Sequence, residues 1–182
     1  MDIIGTRIVF SGSGGQGVIT AAIILAEAAV IHEGLNAVQT QSYGPEARGG
    51  ATRADIIISK HPVRHPKVIN PHQLVCLTQE AYNKFSHIVR PGGILITDSG
   101  LVKSAKKVDA RQVELPIYAK VMEKIGKPIV FNICMLGAFV EITGIVRGES
   151  VIKVLSEKIP SGFIDLNKKA FKLGSELVRQ NI

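Results

Sequence analysis

Thr6-Arg-Ile-Val-Phe-Ser-Gly-Ser-Gly-Gly-Gln-Gly-Val-Ile-Thr-Ala21 is the stretch that decides the fold. Thr6 to Ser11 is mostly β-branched and aromatic and reads as a buried first strand. Gly12 to Gly17 then fits G-x-G-x-x-G. From Val18 to Glu33, the residues Ile19, Ala22, Ile23, Ala26 and Val30 recur at helical spacing, and Gly34 supplies a stop. Strand, glycine loop and helix in that order open a parallel α/β unit. The glycines allow a sharp turn and let a ligand approach without meeting a Cβ. The helix start beyond them offers free N–H groups and positive potential to a phosphate or carboxylate.

Other readings of the loop stand beside an anion site. The glycines can serve only the close packing of helix on sheet. A nicotinamide dinucleotide is the other alternative, and it wants an acidic residue about 20 positions on, at the end of the second strand. There the chain reads Val38-Gln39-Thr40-Gln41, with neither a carboxylate for the ribose nor an arginine for a 2′-phosphate.

Outward from this unit, Asn36 to Thr40 and Thr52 to Ser59 read as strands. Between them lies the polar, glycine-rich segment Gln41-Ser-Tyr43-Gly44-Pro45-Glu46-Ala47-Arg48-Gly49-Gly50. Loops leaving strand C-termini line the ligand crevice of an open parallel sheet, so this segment is expected to face Gly12–Gly17 from a neighbouring strand. Arg48 can pair bidentately with a carboxylate or phosphate, or Glu46 and Arg48 can simply pair in a surface turn. Three prolines make residues 61 to 71 irregular. Leu74–Leu77 and Ile94–Thr97 read as strands, and Val113–Leu115 as a further one. Helices are expected from Thr78 as cap to Phe85, from Pro116 to Ile125, from Asn132 as cap to Ile142, from Ser150 as cap to Lys158, and from Asp165 to Gln180. The alternation gives an α/β fold: a three-layer α/β/α domain with a mostly parallel, Rossmann-like sheet. Its 182 residues fit one domain, 1–182.

Composition narrows the chemistry. No apolar run reaches the roughly 18 residues of a membrane span, and no signal-peptide pattern opens the chain; a cytoplasmic location is expected. Cys76 and Cys134 lie far apart in apolar segments and read as reduced core thiols. An iron–sulfur cluster takes about four thiolates, so this chain alone is expected to hold none, and no metal site is assigned. His61, His65 and His72 read as exposed loop histidines, and Asp98 as a turn former. The net charge of +7 can draw in acidic partners or phosphorylated ligands, or can be ordinary solvated helix faces. Aromatic residues are too few to alternate with the basic ones, so no nucleic-acid platform is expected.

Gly12-Ser-Gly-Gly-Gln-Gly-Val-Ile-Thr-Ala21 followed by Gln41-Ser-Tyr-Gly-Pro-Glu-Ala-Arg-Gly-Gly50 resembles the gamma subunit of the 2-oxoacid:ferredoxin oxidoreductases. The likeness continues through Ala54–Ser59, Leu77–Phe85, the Pro91-Gly-Gly93 turn and Asn132. The second loop is closer to the 2-oxoglutarate type than to the pyruvate type, with branched-chain oxoacids as an alternative. The resemblance implies a complex that converts a 2-oxoacid and coenzyme A to acyl-CoA and carbon dioxide while reducing ferredoxin. It implies that thiamine diphosphate, Mg2+ and iron–sulfur clusters sit in alpha, beta and ferredoxin-like delta subunits. This chain has no Gly-Asp-Gly…Asn diphosphate motif of its own. It would therefore carry no catalytic residue, would be inactive alone, and would meet ferredoxin only indirectly; a homodimer of the isolated chain stays open. What it would bring is a share of the coenzyme A pocket, through Gly12, Gly14, Gly15, Gln16, Gly17, Tyr43 and Arg48. Glu46, Gly49 and Gly50 would face a neighbouring subunit.

Overall fold

The computed structural model describes residues 5–41, 50–104 and 107–181. Strand β1 (Thr6–Ser13) runs two residues further than its apolar pattern, through Gly12. Helix α1 (Val18–Glu27) continues as a π-helical turn, Ala28–His32, before Gly34 takes a left-handed φ of 65° and ends it. The chain goes on through β2 (Asn36–Gln41), β3 (Ala51–Ser59), β4 (Gln73–Cys76), α2 (Gln79–Phe85), β5 (Gly93–Asp98) and β6 (Ala110–Leu115). Four helices close it: α3 (Ile117–Lys124), α4 (Phe131–Thr143), α5 (Gly148–Lys158) and α6 (Ile164–Asn181).

The six strands lie in the order β2-β3-β1-β4-β5-β6. β1, β4, β5 and β6 are parallel, whereas β3 is antiparallel to both its neighbours. The expectation that β2 lies beside β1 is corrected here. Only nine residues separate β2 from β3. A parallel connection needs a crossover of a dozen or more residues, so β3 must turn back and slot between β2 and β1.

Helices cover both faces, unequally. On one face α2 sets Tyr82 and Phe85 against Val9, Leu74 and Leu95. On the other, α1 and α4 lie on the sheet with α3, α5 and α6 around them. Every residue of α4 from Phe131 to Val140 is buried, which explains why its sequence there is apolar except at Asn132. Phe139 meets Phe10 of β1 edge to face, with ring centroids 4.9 Å apart. Behind α4 comes α6, at a separation only glycine permits: a Cβ on Gly174 would stand 1.9 Å from the Cys134 carbonyl oxygen, and one on Gly137 2.0 Å from that of Phe171.

Local chemistry follows the sequence reading in part. Thr78 caps α2, its Oγ1 accepting from Ala81 N–H at 3.2 Å. Asn132 and Ser150 do not cap their helices. Both lie inside the first turn, and each side chain crosses to α1 instead: Asn132 Nδ2 donates to Gly17 O, and Ser150 Oγ donates to Glu33. Cys76 and Cys134 are free and buried, and burial is the first cause pushing each thiol up to about 12.

Candidate functional site

The strand order reverses between β1 and β4. From β1 the chain moves out through α1 toward β2 and β3, while β4 and β5 extend on the other side. Open α/β sheets bind ligands outside the strand C-termini at such a switch point, and the glycine loop leaves β1 there. Gly15 and Gly17 take φ of 84° and 72°, values that an L side chain rarely adopts. Gln16 braces the turn, its Oε1 accepting from Ser13 N–H at 2.8 Å. A Cβ on Gly12 would collide with that same oxygen at 2.4 Å, and one on Gly17 with Asn132 Nδ2 at 2.4 Å. Gly14 and Gly15 differ: both are exposed, and nothing lies within 4 Å of where their Cβ would be. Two glycines thus build the turn, and two leave the backbone open to an approaching group.

α1 begins at Gly17 with no side-chain cap. Its first-turn N–H groups and the positive end of its dipole are available to an anion. The loop forms one wall of a cavity of about 320 Å³. The opposite wall is apolar and comes from distant sequence: Ile129 and Ile133 at the start of α4, with Ile159, Phe163 and Leu166 between α5 and α6. Ile129 is 76% exposed and Phe163 51%, so the mouth is hydrophobic. An anionic head at the glycine loop with an apolar arm along this wall is the ligand shape the cavity accepts.

Asn132, expected as the cap of α4, instead braces the glycine loop. It is only 7% exposed, and it reaches across 115 residues to hold the Gly17 carbonyl at 3.1 Å. A lone polar residue at the head of an otherwise apolar helix was the available signal.

Tyr43, Glu46, Arg48 and Gly49 lie outside the described residues. Gly50 is described, and the anchors of its segment are clear. Gln41 pairs with Ala54 across β2–β3, and Ala51 pairs with Ser13 across β3–β1. Because β2 and β1 both run antiparallel to β3, both ends of the segment leave the same rim as the glycine loop. Gly12, Gly14, Gly15, Gln16, Gly17 and Gly50 therefore share one rim. The segment is a hairpin connection, however, and β3 stands between its first strand and β1.

The dinucleotide alternative loses ground on this geometry. The strand end that would present a ribose-binding carboxylate beside β1 belongs to β2, two places away, and carries no acid. Asp98 is a turn former: fully buried, it accepts from the N–H groups of Gly100, Leu101 and Tyr118. His61 and His65 are exposed and His72 half-buried, all near the opposite rim. Among the described residues no group of three or more His, Cys, Asp or Glu side chains could hold a metal ion. Among them also, no helix is long and apolar enough to cross a membrane.

A family model described as pyruvate ferredoxin/flavodoxin oxidoreductase matches residues 7–177. The chain belongs to the pyruvate ferredoxin/flavodoxin oxidoreductase family. Within that family it is 44% identical over 172 residues to the 2-oxoglutarate synthase subunit KorC of Methanocaldococcus jannaschii, covering 93% of this chain and 92% of the relative. Identity to the pyruvate synthase subunit PorC of Methanothermobacter marburgensis is 33% over 180 residues, covering 94% and 97%. The crystal structure of a keto/oxoacid ferredoxin oxidoreductase gamma subunit from Geobacter sulfurreducens PCA superimposes with a TM-score of 0.90 at 41% identity, covering 97% of this chain and 98% of that one. The gamma-subunit reading of the two loops holds, and so does the α/β architecture expected from them. The chain is a component of a multi-subunit oxidoreductase, and a stand-alone nucleotide-binding protein is not favoured.

Proposed function

We propose that this chain, acting as one domain over residues 1–182 in the cytoplasm, forms part of the coenzyme A site of a 2-oxoglutarate:ferredoxin oxidoreductase. The observation that carries the proposal is the uncapped start of α1 behind two approachable glycines, opening on a cavity with an apolar far wall. Coenzyme A combines phosphates with a long, less polar arm, and these residues fit both parts. Backbone N–H groups of Gly14 to Gly17 and the Arg48 guanidinium take the anionic part. Gly12 and Gln16 hold the turn, Tyr43 lies along the ligand, and Glu46, Gly49 and Gly50 meet the adjoining subunit. Thiamine diphosphate, Mg2+ and iron–sulfur clusters belong to the alpha, beta and delta subunits, which supply the decarboxylation and electron-transfer chemistry. This chain's part is to bind and orient the acyl acceptor and to shield it from water with Ile129 and Phe163. The greater identity to a 2-oxoglutarate synthase subunit than to a pyruvate synthase subunit supports the choice of oxoacid.

The test uses the assembled complex with Gly14→Asp or Arg48→Ala in this chain. An added carboxylate at residue 14 enters open space, so it opposes an anion without disturbing the turn. KM for coenzyme A is expected to rise about tenfold or more, with KM for the oxoacid and kcat little changed, the signature of lost ground-state binding. An unchanged KM for coenzyme A in both variants removes the site. Specificity is checked separately, by kcat/KM on 2-oxoglutarate, pyruvate and 2-oxoisovalerate.

A further inference from the structure

The rim opposite the glycine loop, about 25 Å away along β1 at roughly 3.3 Å per residue, holds a second concavity of about 500 Å³. Residues 60–72 strap over it, and both ends of its roof are fastened. His61 N–H donates to Ser59 Oγ at 3.0 Å. Val68 is buried, and its carbonyl accepts from Arg53 at 2.6 Å while Arg53 pairs with Asp55. Pro62, Pro66 and Pro71 each fix one φ of the strap.

The cavity is lined by Arg7, Arg64, Lys67, His61, His65 and His72 and, among the described residues, by no carboxylate. Among the described residues, no ion pair engages Arg7, Arg64, Lys67 or the nearby Arg90. Arg7 Nε is buried with no hydrogen-bond partner among those residues. Arg7 N–H donates to His72 Nδ1 at 3.0 Å, so that nitrogen is unprotonated. Burial, then the charges of Arg90 and Arg7, hold the His72 imidazole below the usual histidine range.

We propose that this cavity is a second anion site, distinct from the one at the glycine loop, which binds a phosphate group of a small ligand between Arg7, Arg64 and Lys67. A small phosphate suits it better than an acidic protein surface. Arg7, half-buried on β1, and the exposed Arg64 and Lys67 line one concavity, and a convex surface resting on the strap would meet the last two and not the first.

The test is titration of the full-length 15N-labelled chain with inorganic pyrophosphate at low salt, read by amide chemical shifts. Saturable shifts are expected at Arg7, Ile57, His61, Val63, Arg64, His65, Lys67, Val68 and His72. The double variant Arg64→Glu/Lys67→Glu alters only exposed strap positions. It is expected to weaken binding about tenfold or more, with the rest of its spectrum unchanged. Shifts confined to Gly14–Gly17, shifts scattered over surface lysines, no saturation by about 10 mM pyrophosphate, or undiminished binding by the double variant would each overturn the proposal. So would saturable binding at the strap of a glutamate decapeptide but not of pyrophosphate. Because Gly14–Gly17 report separately, failure here leaves the coenzyme A reading untouched, and failure there leaves this one standing.

Discussion

Replacing Gly17 by alanine tests whether the glycine loop is held by its own backbone needs and by Asn132. Three costs combine. A left-handed φ of 72° costs a non-glycine residue about 1–2 kcal/mol. The new Cβ would stand 2.4 Å from Asn132 Nδ2 and 2.8 Å from its Cγ, an overpacking of about 1–3 kcal/mol in so buried a place. Pushing Asn132 aside also breaks its hydrogen bond to Gly17 O, worth about 1 kcal/mol. The sum is about 3–6 kcal/mol against a total stability of about 5–15 kcal/mol. With an m-value of about 2 kcal/mol/M, the urea midpoint falls by about 1.5–3 M. Two neighbours calibrate the result. Gly15→Ala meets open space at φ 84°, so it carries only the backbone cost, about 1–2 kcal/mol. Gly14→Ala meets open space without a positive φ and is expected to stay within about 0.5 kcal/mol of the parent. Equilibrium urea unfolding of the three variants checks the order. Adding Asn132→Ala to Gly17→Ala is expected to recover part of the loss, a coupling of about 1–3 kcal/mol. If Gly17→Ala is no worse than Gly15→Ala, or if Asn132→Ala does not couple to it, the description of the loop is wrong.

Other outcomes follow from the packing and the charges. Gly174→Ala drives a Cβ into the Cys134 carbonyl between α4 and α6, and is expected to cost about 3 kcal/mol or more and to lower Tm by about 6–12 °C in a thermal melt. Both thiols, pushed to about 12 mainly by burial, are expected to resist a thiol-specific reagent in the native chain at pH 8 and to react together once it is denatured, read by absorbance. Acid stability is expected to fall in two stages, followed by urea midpoints against pH. His72 is held below its ordinary 6.5, so the unfolded chain takes up that proton first and stability drops from about pH 7 downward. Glu33 is pushed up by burial but pulled further down by hydrogen bonds from Ser150 and Arg147, so its contribution is complete above its ordinary 4.5 and is lost as pH falls through its lower native value. His72→Gln is expected to flatten the first stage and Glu33→Gln the second.

Much of this fold was written in local patterns. The β-branched run at 6–10, the Thr78 cap, the Pro91-Gly92-Gly93 turn and the apolar unity of α4 each follow from near-neighbour chemistry, and each element appears within a few residues of its expected place. The errors came where a residue's partner is remote in sequence. Asn132 and Ser150 sit where caps are common, yet both bond to α1 across more than 100 residues. The reversal of β3 is legible in loop length, since nine residues cannot make a crossover, but a mostly parallel sheet does not by itself say which strand is the antiparallel one. At the site, the sequence pointed to the glycine wall and gave no hint of the facing one. Ile129, Ile133 and Phe163 are ordinary apolar residues until α4, α5 and α6 bring them together.

The hairpin anchoring of residues 42–50 bears on how this family could diversify. Both attachment points are sheet-paired, at Gln41 and Ala51, and no crossover helix depends on what runs between them. Doubling the length of such a connection costs only about 0.6 kcal/mol in closure entropy. Substitutions, insertions or wholesale exchange there can be tried by evolution, or by grafting, while the scaffold stays thermodynamically indifferent.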